Sequence, residues 1–425
     1  MKKIPLHLQI LIFMVFGIVF GIIGAYAGFK PFIVDWVKPF GTIFINALKL
    51  IAIPLVIASL IKGVSDLKDI SSLSKMGFRT IGIFLITTVV AITLGLILVN
   101  VIRPGNLISE TTRQELVTAY SSQASGKIEL AEKQKSAGPL EPLVSLVSDN
   151  FFKSATDNSN MLQVIVFALF FGIALVMIPK EKAQPVKNFF DGFNEVILKM
   201  VDIIMLTAPI GVFALLAALV AESPSIDLFK ALIGYAVCVL LGIGILLFLF
   251  YPFMVRTFAG IGLRQFWSAL GPTQLVAFST SSSAATLPVN LERTVTKLGV
   301  DDEVASFVLP VGATVNMDGT SLYQAIAAVF IAQAFGMELS LSAQLGIILT
   351  ALLASIGSAP VPGAGMVMLV IVLAQAGIPE AGLALILAID RPLDMCRTVA
   401  NVTSDSTVSA IVARSLGKIN PPIPD

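Results

Sequence analysis

Charge is scarce in this chain. Its 425 residues carry 28 Lys+Arg and 27 Asp+Glu, or 13%, where a soluble globular chain runs at about 25%. Hydrophobic residues make up 56%, and mean hydropathy is +0.91. A water-soluble protein of this size has too little interior to hide so much apolar surface. The composition predicts an integral membrane protein and excludes soluble enzymes, nucleic-acid binders and disordered chains together. Histidine is nearly missing: the single one, His7, lies near the N-terminus, which argues against His-based catalysis or a His metal site. The two cysteines, Cys238 and Cys396, lie in apolar stretches, so no disulfide framework is expected. The net charge of +1 names no partner.

The gaps between charges mark where the chain crosses. A span needs about 20 apolar residues to cover about 30 Å of hydrocarbon. Charge-free runs cover 8–29, 39–48, 50–61, 80–102, 158–179, 203–221 and 231–255. Lys49 interrupts the second, which reads as one helix over about 39–64. The first run follows Met1-Lys2-Lys3 without a small-residue cleavage site, so it reads as a retained helix rather than a signal peptide. With alternating spans, Lys2, Lys3, Lys62, Lys68, Lys75, Arg79, Lys180, Lys182, Lys187, Arg256, Arg264, Arg293, Lys297, Arg414 and Lys418 fall on one side. Glu222, Asp227, Glu338 and Glu380 fall on the other. This sidedness places both termini in the cytoplasm of a multi-pass cell (inner) membrane protein. Lys30 and Lys38 are the exceptions. Residues 104–157, the only long polar segment, read as an external, partly flexible loop.

The last third is not built from simple spans. Residues 265–291 carry no charge, yet their centre reads STSSSAATLP over 279–288. A lipid-facing helix would not hold six hydroxyls and a proline at its midpoint. Residues 339–379 are also charge-free, too long for one span, with SIGSAPVPGAG over 355–365 at their centre. Both fit re-entrant hairpins, whose non-helical tips survive at membrane depth only when buried in protein or lining a cavity. The alternative is two ordinary helices joined by a Gly/Pro turn. Each hairpin precedes a helix, at about 300–335 and 381–415. The first is entered from the cytoplasm and the second from outside. That is an inverted repeat, which places substrate and ion sites near the midplane at broken helices.

Inside the first of these helices sits Asn316-Met317-Asp318-Gly319-Thr320. At 100° per residue Asn316 and Thr320 share a face while Asp318 points away. A local unwinding at Gly319 would let all three converge and free backbone carbonyls, an oxygen-rich set suited to hard cations. Alternatively, Asp318 is held by structural hydrogen bonds. The final helix carries Asp390, Asp394, Arg397, Thr398, Asn401 and Asp405, all within an arc of about 100°. The opposite face has Leu387, Leu393, Val399 and Val402. Ionisable groups at membrane depth mark ion or substrate pathways by default. An Arg offers a planar fork for a carboxylate, and an Asp one turn earlier can hold an ammonium. That pair matches an acidic amino acid, with Arg397 on the side-chain carboxylate and Asp394 on the α-amino group. Hydroxyls, Asn401 and half-helix N-termini would hold the α-carboxylate. The alternative is an internal Asp394–Arg397 ion pair. Arg391 either snorkels or pairs with Asp390, and it receives no role.

STSSSAATLP, NMDGT, SIGSAPVPGAG and DRPLDMCRTVANVTSD resemble the four signatures of the glutamate/aspartate:cation symporters. This is the dicarboxylate/amino acid:cation symporter family, related to the excitatory amino acid transporters; the chain looks like a prokaryotic-type member. The similarity is strongest over about 262–415. It implies an all-α polytopic fold with eight transmembrane helices and two re-entrant hairpins, working as an elevator within a homotrimer in contact with membrane lipids. Residues 1–75 and 158–225 would form the scaffold. Residues 76–103 and 226–425 would form the transport domain, with 104–157 as the external loop and the 339–379 hairpin as external gate. By motif match the substrate would meet Ser283, Thr320, Asp394, Arg397, Thr398 and Asn401, with backbone groups of Ser281, Val361 and Gly365. One sodium site would use Asp405 with backbone oxygens of Gly312, Asn316 and Asn401. A second would use Thr87, Thr88, Asn316 and Asp318. A third would use Ser358 and the carbonyls of Thr314, Ser355 and Ile356.

Five positions depart from the family pattern. Ser404 and Pro360 stand where glycine is usual, and Phe84 where many members have Tyr. Gln324 replaces the Glu of members that co-transport a proton and counter-transport potassium, and Ser281 replaces an Arg that some prokaryotic members carry. The expected function is sodium-coupled import of L-glutamate and/or L-aspartate. A proton-coupled or C4-dicarboxylate symporter of the same family is the alternative. An ion channel is the alternative from another class. A neutral amino acid carrier would not need Arg397, and a dicarboxylate carrier would not need Asp394. An intramembrane hydrolase would need a catalytic pair across helices, which Asp390 and Asp394 on one helix do not make.

Overall fold

A computed structural model describes residues 6–66, 74–119, 147–156, 161–222, 226–356, 358, 360 and 362–422. Among them the chain is all-helical, apart from one isolated bridge between Val300 and Ile419. A helix satisfies its own backbone N–H and C=O groups, as a segment in lipid must.

The first charge-free runs become α1 (Leu6–Ala27), α2 (Lys38–Asp66) and α3 (Ser74–Ile102). The segment read as an external loop holds α4 (Glu110–Ala119), and most of its remainder, 120–146, lies outside the described residues. Helix α5 (Met161–Met177) follows. The run 203–221 straddles a 51° bend between α6 (Lys180–Leu206) and α7 (Ala208–Glu222). Helix α8 (Ile226–Ile245) continues through π-helical turns at Leu246–Phe250 and Val255–Ala259. Lys30 and Lys38, the exceptions to the sidedness pattern, both reach Glu222. Lys38 Nζ lies 2.7 Å from its carboxylate, and Lys30 Nζ donates to its carbonyl at 3.3 Å.

Each charge-free stretch of the last third is a pair of short helices. Helices α9 (Leu263–Thr280) and α10 (Ser283–Thr296) are separated by Ser281 and Ser282 alone. Helices α11 (Asp302–Val315) and α12 (Asp318–Ala334) make the seventh element. Then come α13 (Leu341–Ile356) and α14 (Ala364–Gln375), of 16 and 12 residues. At 1.5 Å per residue these last two reach about 24 and 18 Å, short of a crossing of about 30 Å. The final helix, α15 (Leu383–Ser415), is unbroken over 33 residues.

Helix α15 is central. It packs against α3 and α8 through α12, and it also touches α7. Its apolar face is buried too, since Leu387, Leu393 and Val402 are covered. A second group forms where α1 packs on α7 and α2 packs on α5, α6 and α7. Helix α14 touches α2 and α5 of that group. Polarity is inverted relative to a soluble protein. Phe16, Leu50, Phe78 and Phe170 are exposed, while Asp318, Arg397 and Asp405 are buried. Such an apolar exterior fits a hydrocarbon solvent.

Candidate substrate and cation site

The seventh element breaks at Asn316 and Met317, whose φ/ψ of −110°/88° and −114°/57° are not helical. The expected unwinding at Gly319 is therefore corrected. Gly319 lies inside the first turn of α12, and its lack of a side chain serves packing. A Cβ there would sit 2.5 Å from the Arg397 carbonyl oxygen and 3.0 Å from Ala400 Cβ. The break turns Asp318 inward with Asn316, and hydroxyls donate to it, as the alternative of structural hydrogen bonds also expects. Thr88 Oγ1 donates to Asp318 Oδ1 at 2.8 Å, and Thr87 Oγ1 lies 3.3 Å from both Asp318 Oδ1 and Asn316 Oδ1. Asn316 Nδ2 donates to Asp405 Oδ1 at 2.9 Å. Gly312 approaches the same carboxylate so closely that a Cβ would be 2.5 Å from Asp405 Oδ1. The donor set is carboxylate, amide and hydroxyl oxygen, the chemistry of a hard-cation site.

Two further hydroxyls enter this cluster. Ser404 Oγ donates to Asp318 Oδ2 at 2.7 Å and accepts from Asn316 Nδ2 at 2.9 Å. Tyr251 OH donates to Asp318 Oδ2 at 3.1 Å. Ser404 stood out in the sequence only as a departure, and Tyr251 gave no signal, being 67 positions from its partner. The third expected cation set is partly assembled. Ser355 Oγ accepts from Met317 N–H at 3.0 Å and donates to the Val315 carbonyl at 3.2 Å. The Ser355 carbonyl accepts from Ser358 N–H at 3.2 Å. Ile356 ends α13, while Thr314 turns its hydroxyl to Val311 O in its own helix at 3.0 Å.

The polar face of α15 comes together as its spacing requires. Arg397 Nη2 donates to Asp394 Oδ1 at 2.8 Å, and Nη1 lies 3.1 Å from Asp390 Oδ1. Its guanidinium stacks over the Tyr323 ring, 3.7 Å from the centroid. Tyr323 went unnoticed in the sequence, although its place three residues after Thr320 puts it on the same helix face. Arg397 is fully buried; Nη1 has its ion pair with Asp390, while Nε makes no hydrogen bond. A buried guanidinium nitrogen without a partner is costly, so this side of Arg397 is built to receive an acceptor. Asn401 accepts from Gly319 N–H at 2.8 Å and donates to Thr320 Oγ1 at 3.2 Å. Thr398 donates to the Asp394 carbonyl at 2.9 Å. Gly365 lies against Thr320 and Arg397, and its carbonyl accepts from Gln324 Nε2 at 3.4 Å.

The turns of the two helix pairs, α9–α10 and α13–α14, meet at Ser282 and Pro360. Ser282 caps α10 by accepting from Ala285 N–H at 3.1 Å, and it donates to the Pro360 carbonyl at 2.7 Å. Ser283 is buried in the first turn of α10, and Ser281, with φ of 52°, keeps a buried hydroxyl without a partner. The second tip reaches α15, where Gly363 N–H donates to Asp394 Oδ2 at 3.2 Å. Val361 lies outside the described residues. Arg391 does not pair with Asp390. Its Nη1 donates to Asp394 Oδ2 at 3.2 Å, because residues three apart share a helix face and adjacent ones do not. The first hairpin is also tied along its length. Ser406 Oγ donates to Asn290 Oδ1 at 2.6 Å, Asn290 Nδ2 to Val402 O at 3.3 Å, and Gln274 Nε2 to Thr403 Oγ1 at 3.1 Å.

Comparison with known proteins gives the family of this chain. A family model for the sodium:dicarboxylate symporter family matches residues 6–415. The proton/sodium-glutamate symport protein of Bacillus subtilis (strain 168) is 35% identical, over 99% of this chain and 95% of its own. The proton/glutamate-aspartate symporter of Escherichia coli (strain K12) is 35% identical, over 97% of this chain and 93% of its own. Excitatory amino acid transporter 3 of Homo sapiens is 34% identical, over 88% and 78%. This chain belongs to the sodium:dicarboxylate symporter family.

Proposed function

We propose that this membrane protein, a symporter rather than an enzyme, couples sodium entry to import of L-glutamate and/or L-aspartate. One observation carries the substrate: the buried Arg397, stacked on Tyr323 and paired with Asp390 and Asp394, presents an Nε that makes no hydrogen bond. The fork takes the side-chain carboxylate, Asp394 the ammonium, and Thr398, Asn401, Ser283 and the tip backbones of Ser281, Val361 and Gly365 the remainder. The names of the relatives, which specify glutamate, point the same way. Sodium travels as a co-substrate, held by Asp318 with Asn316, Thr87 and Thr88, and by Asp405 with the carbonyls of Gly312, Asn316 and Asn401. A third ion uses Thr314, Ser355, Ile356 and Ser358. The grouping of α1, α2 and α5–α7 apart from α3 and α8–α15 supports a fixed scaffold and a moving transport domain. It is compatible with eight spans, two re-entrant hairpins and an elevator within a homotrimer in the cell membrane, both termini cytoplasmic. The α13–α14 hairpin serves as external gate.

Relatives named for protons keep proton coupling in view, while Gln324 puts an amide where members that co-transport a proton and counter-transport potassium hold a carboxyl. Uptake of labelled aspartate and glutamate into proteoliposomes, with sodium and proton gradients imposed separately, decides this. Uptake driven by sodium alone is expected; uptake driven by protons without sodium sinks the sodium assignment. Arg397→Ala is expected to weaken acidic amino acid binding on the order of 100-fold, the scale for truncating a buried charge pair. Unchanged affinity would refute the substrate.

A further inference from the structure

Arg391 is a second cation at the candidate substrate site. Its Nη1 donates to Asp394 Oδ2 at 3.2 Å, and its side chain is only 12% exposed. Its Nε is buried and makes no hydrogen bond. The narrow cavity around it is walled on the far side by Ile10, Phe44, Met205 and Val212. An arginine in an apolar wall at membrane depth is a functional residue by default. Among the described residues the guanidinium pairs with no other carboxylate: Asp390 sits on the neighbouring helix position and faces Arg397 instead. Asp394 is therefore shared. Oδ1 serves Arg397, and Oδ2 serves Arg391 and Gly363 N–H.

A carboxylate offers about four lone-pair sites, and these donors already fill three. An incoming ammonium meets an acceptor whose charge is largely spoken for. We propose that Arg391 is a positioning residue that sets amine specificity. It holds Asp394 in competition with the ammonium of an amino acid and so reduces the advantage of amine-bearing over amine-free dicarboxylates. The inference rests on the acidic amino acid reading of this site. It differs from that reading in assigning Asp394 two opposing tasks. The carboxylate recognises the amine and also neutralises a resident cation.

The test uses the full-length protein in detergent or nanodiscs and two probes with the same carbon skeleton, aspartate and succinate. Sodium-dependent binding of each is measured by calorimetry for wild type, Arg391→Met and Arg391→Lys. Removing the competing charge is expected to raise the aspartate-to-succinate affinity ratio by about tenfold or more, a small part of the Coulomb energy of charges about 4 Å apart. Arg391→Lys keeps the charge, so its ratio is expected to stay near wild type. A ratio that is unchanged in Arg391→Met overturns the proposal. So does a ratio raised equally by both variants, which would assign the effect to packing. Should Arg391→Met fail to fold, Arg391→Gln removes the same charge with polar bulk retained, and an unchanged ratio there overturns the proposal equally. A wild type that binds neither probe would instead overturn the parent reading.

Discussion

Ser404 joins the two buried carboxylates by a short chain of contacts, from Asp318 through Ser404 and Asn316 to Asp405. Its hydroxyl fixes which way Asp318 Oδ2 and the Asn316 amide point, and outer partners of this kind tune an ion site strongly. Ser404→Gly leaves Tyr251 OH as the donor to Oδ2 among the described residues. The half-saturating sodium concentration is expected to rise by up to about tenfold, read as the sodium-dependent shift of melting temperature without substrate. An unshifted sodium titration would show that Ser404 does not position these groups. At this scale the sequence was only partly legible. Angles along one helix predict that Asp394, Arg397 and Asn401 share a face, because 100° per residue is fixed by the backbone. The same arithmetic assigns Arg391 to Asp394, and reading it against Asp390 ignored that rule. Tyr251 and Tyr323 act across helices, and no local period encodes such a pairing.

At the scale of an element, the informative feature is the crossing of α12 over α15. Gly319 allows it, since an added Cβ would meet the Arg397 backbone oxygen at 2.5 Å. A backbone atom in a long helix cannot swing aside. Gly319→Ala is therefore expected to cost about 1–3 kcal/mol, the range for overpacking, and to lower the melting temperature by several degrees. A melting curve superimposed on that of wild type would show that the helices can separate freely. Length and charge made both helix pairs of the last third readable, because 339–379 is too long for one span. The position of the break in the seventh element was displaced by two residues. Glycine is the usual suspect for an unwound position, but here the break falls where Asn316 caps α11 through its N–H to Gly312 O.

At the scale of the molecule, the cavity beside Arg391 lies between the two helix groups. Val212 on α7 and Leu387 on α15 line it from opposite sides. If the groups move relative to one another, joining these positions must stop transport while leaving the site intact. Val212→Cys with Leu387→Cys, in a background lacking Cys238 and Cys396, is expected to lose uptake when bridged by mercury and to regain it on reduction. Sodium-dependent binding should persist throughout. Full uptake by the bridged protein would exclude such motion. Composition alone announced the membrane, but the division into two groups depends on which apolar faces meet, and nearly every face here is apolar.

The unequal anchoring of the two hairpins has a consequence for local stability. The α9–α10 pair is fastened to α15 along its length by Gln274, Asn290 and Ser406. Among the described residues, the hydrogen bond from the tip of the α13–α14 pair to α15 is that of Gly363 N–H. Regions held by few contacts open at low free energy, and their amides exchange with solvent deuterium first. The amides of Ser358 and of residues 363–366 are expected to exchange faster than those near 278–286 in the sodium-free protein, and sodium with aspartate should slow the former selectively. Equal protection of both tips would mean that neither hairpin is the weaker latch. If the α13–α14 pair is the proposed external gate, the asymmetry makes its opening a local unfastening of that pair, with the α9–α10 pair serving as the frame against which it closes.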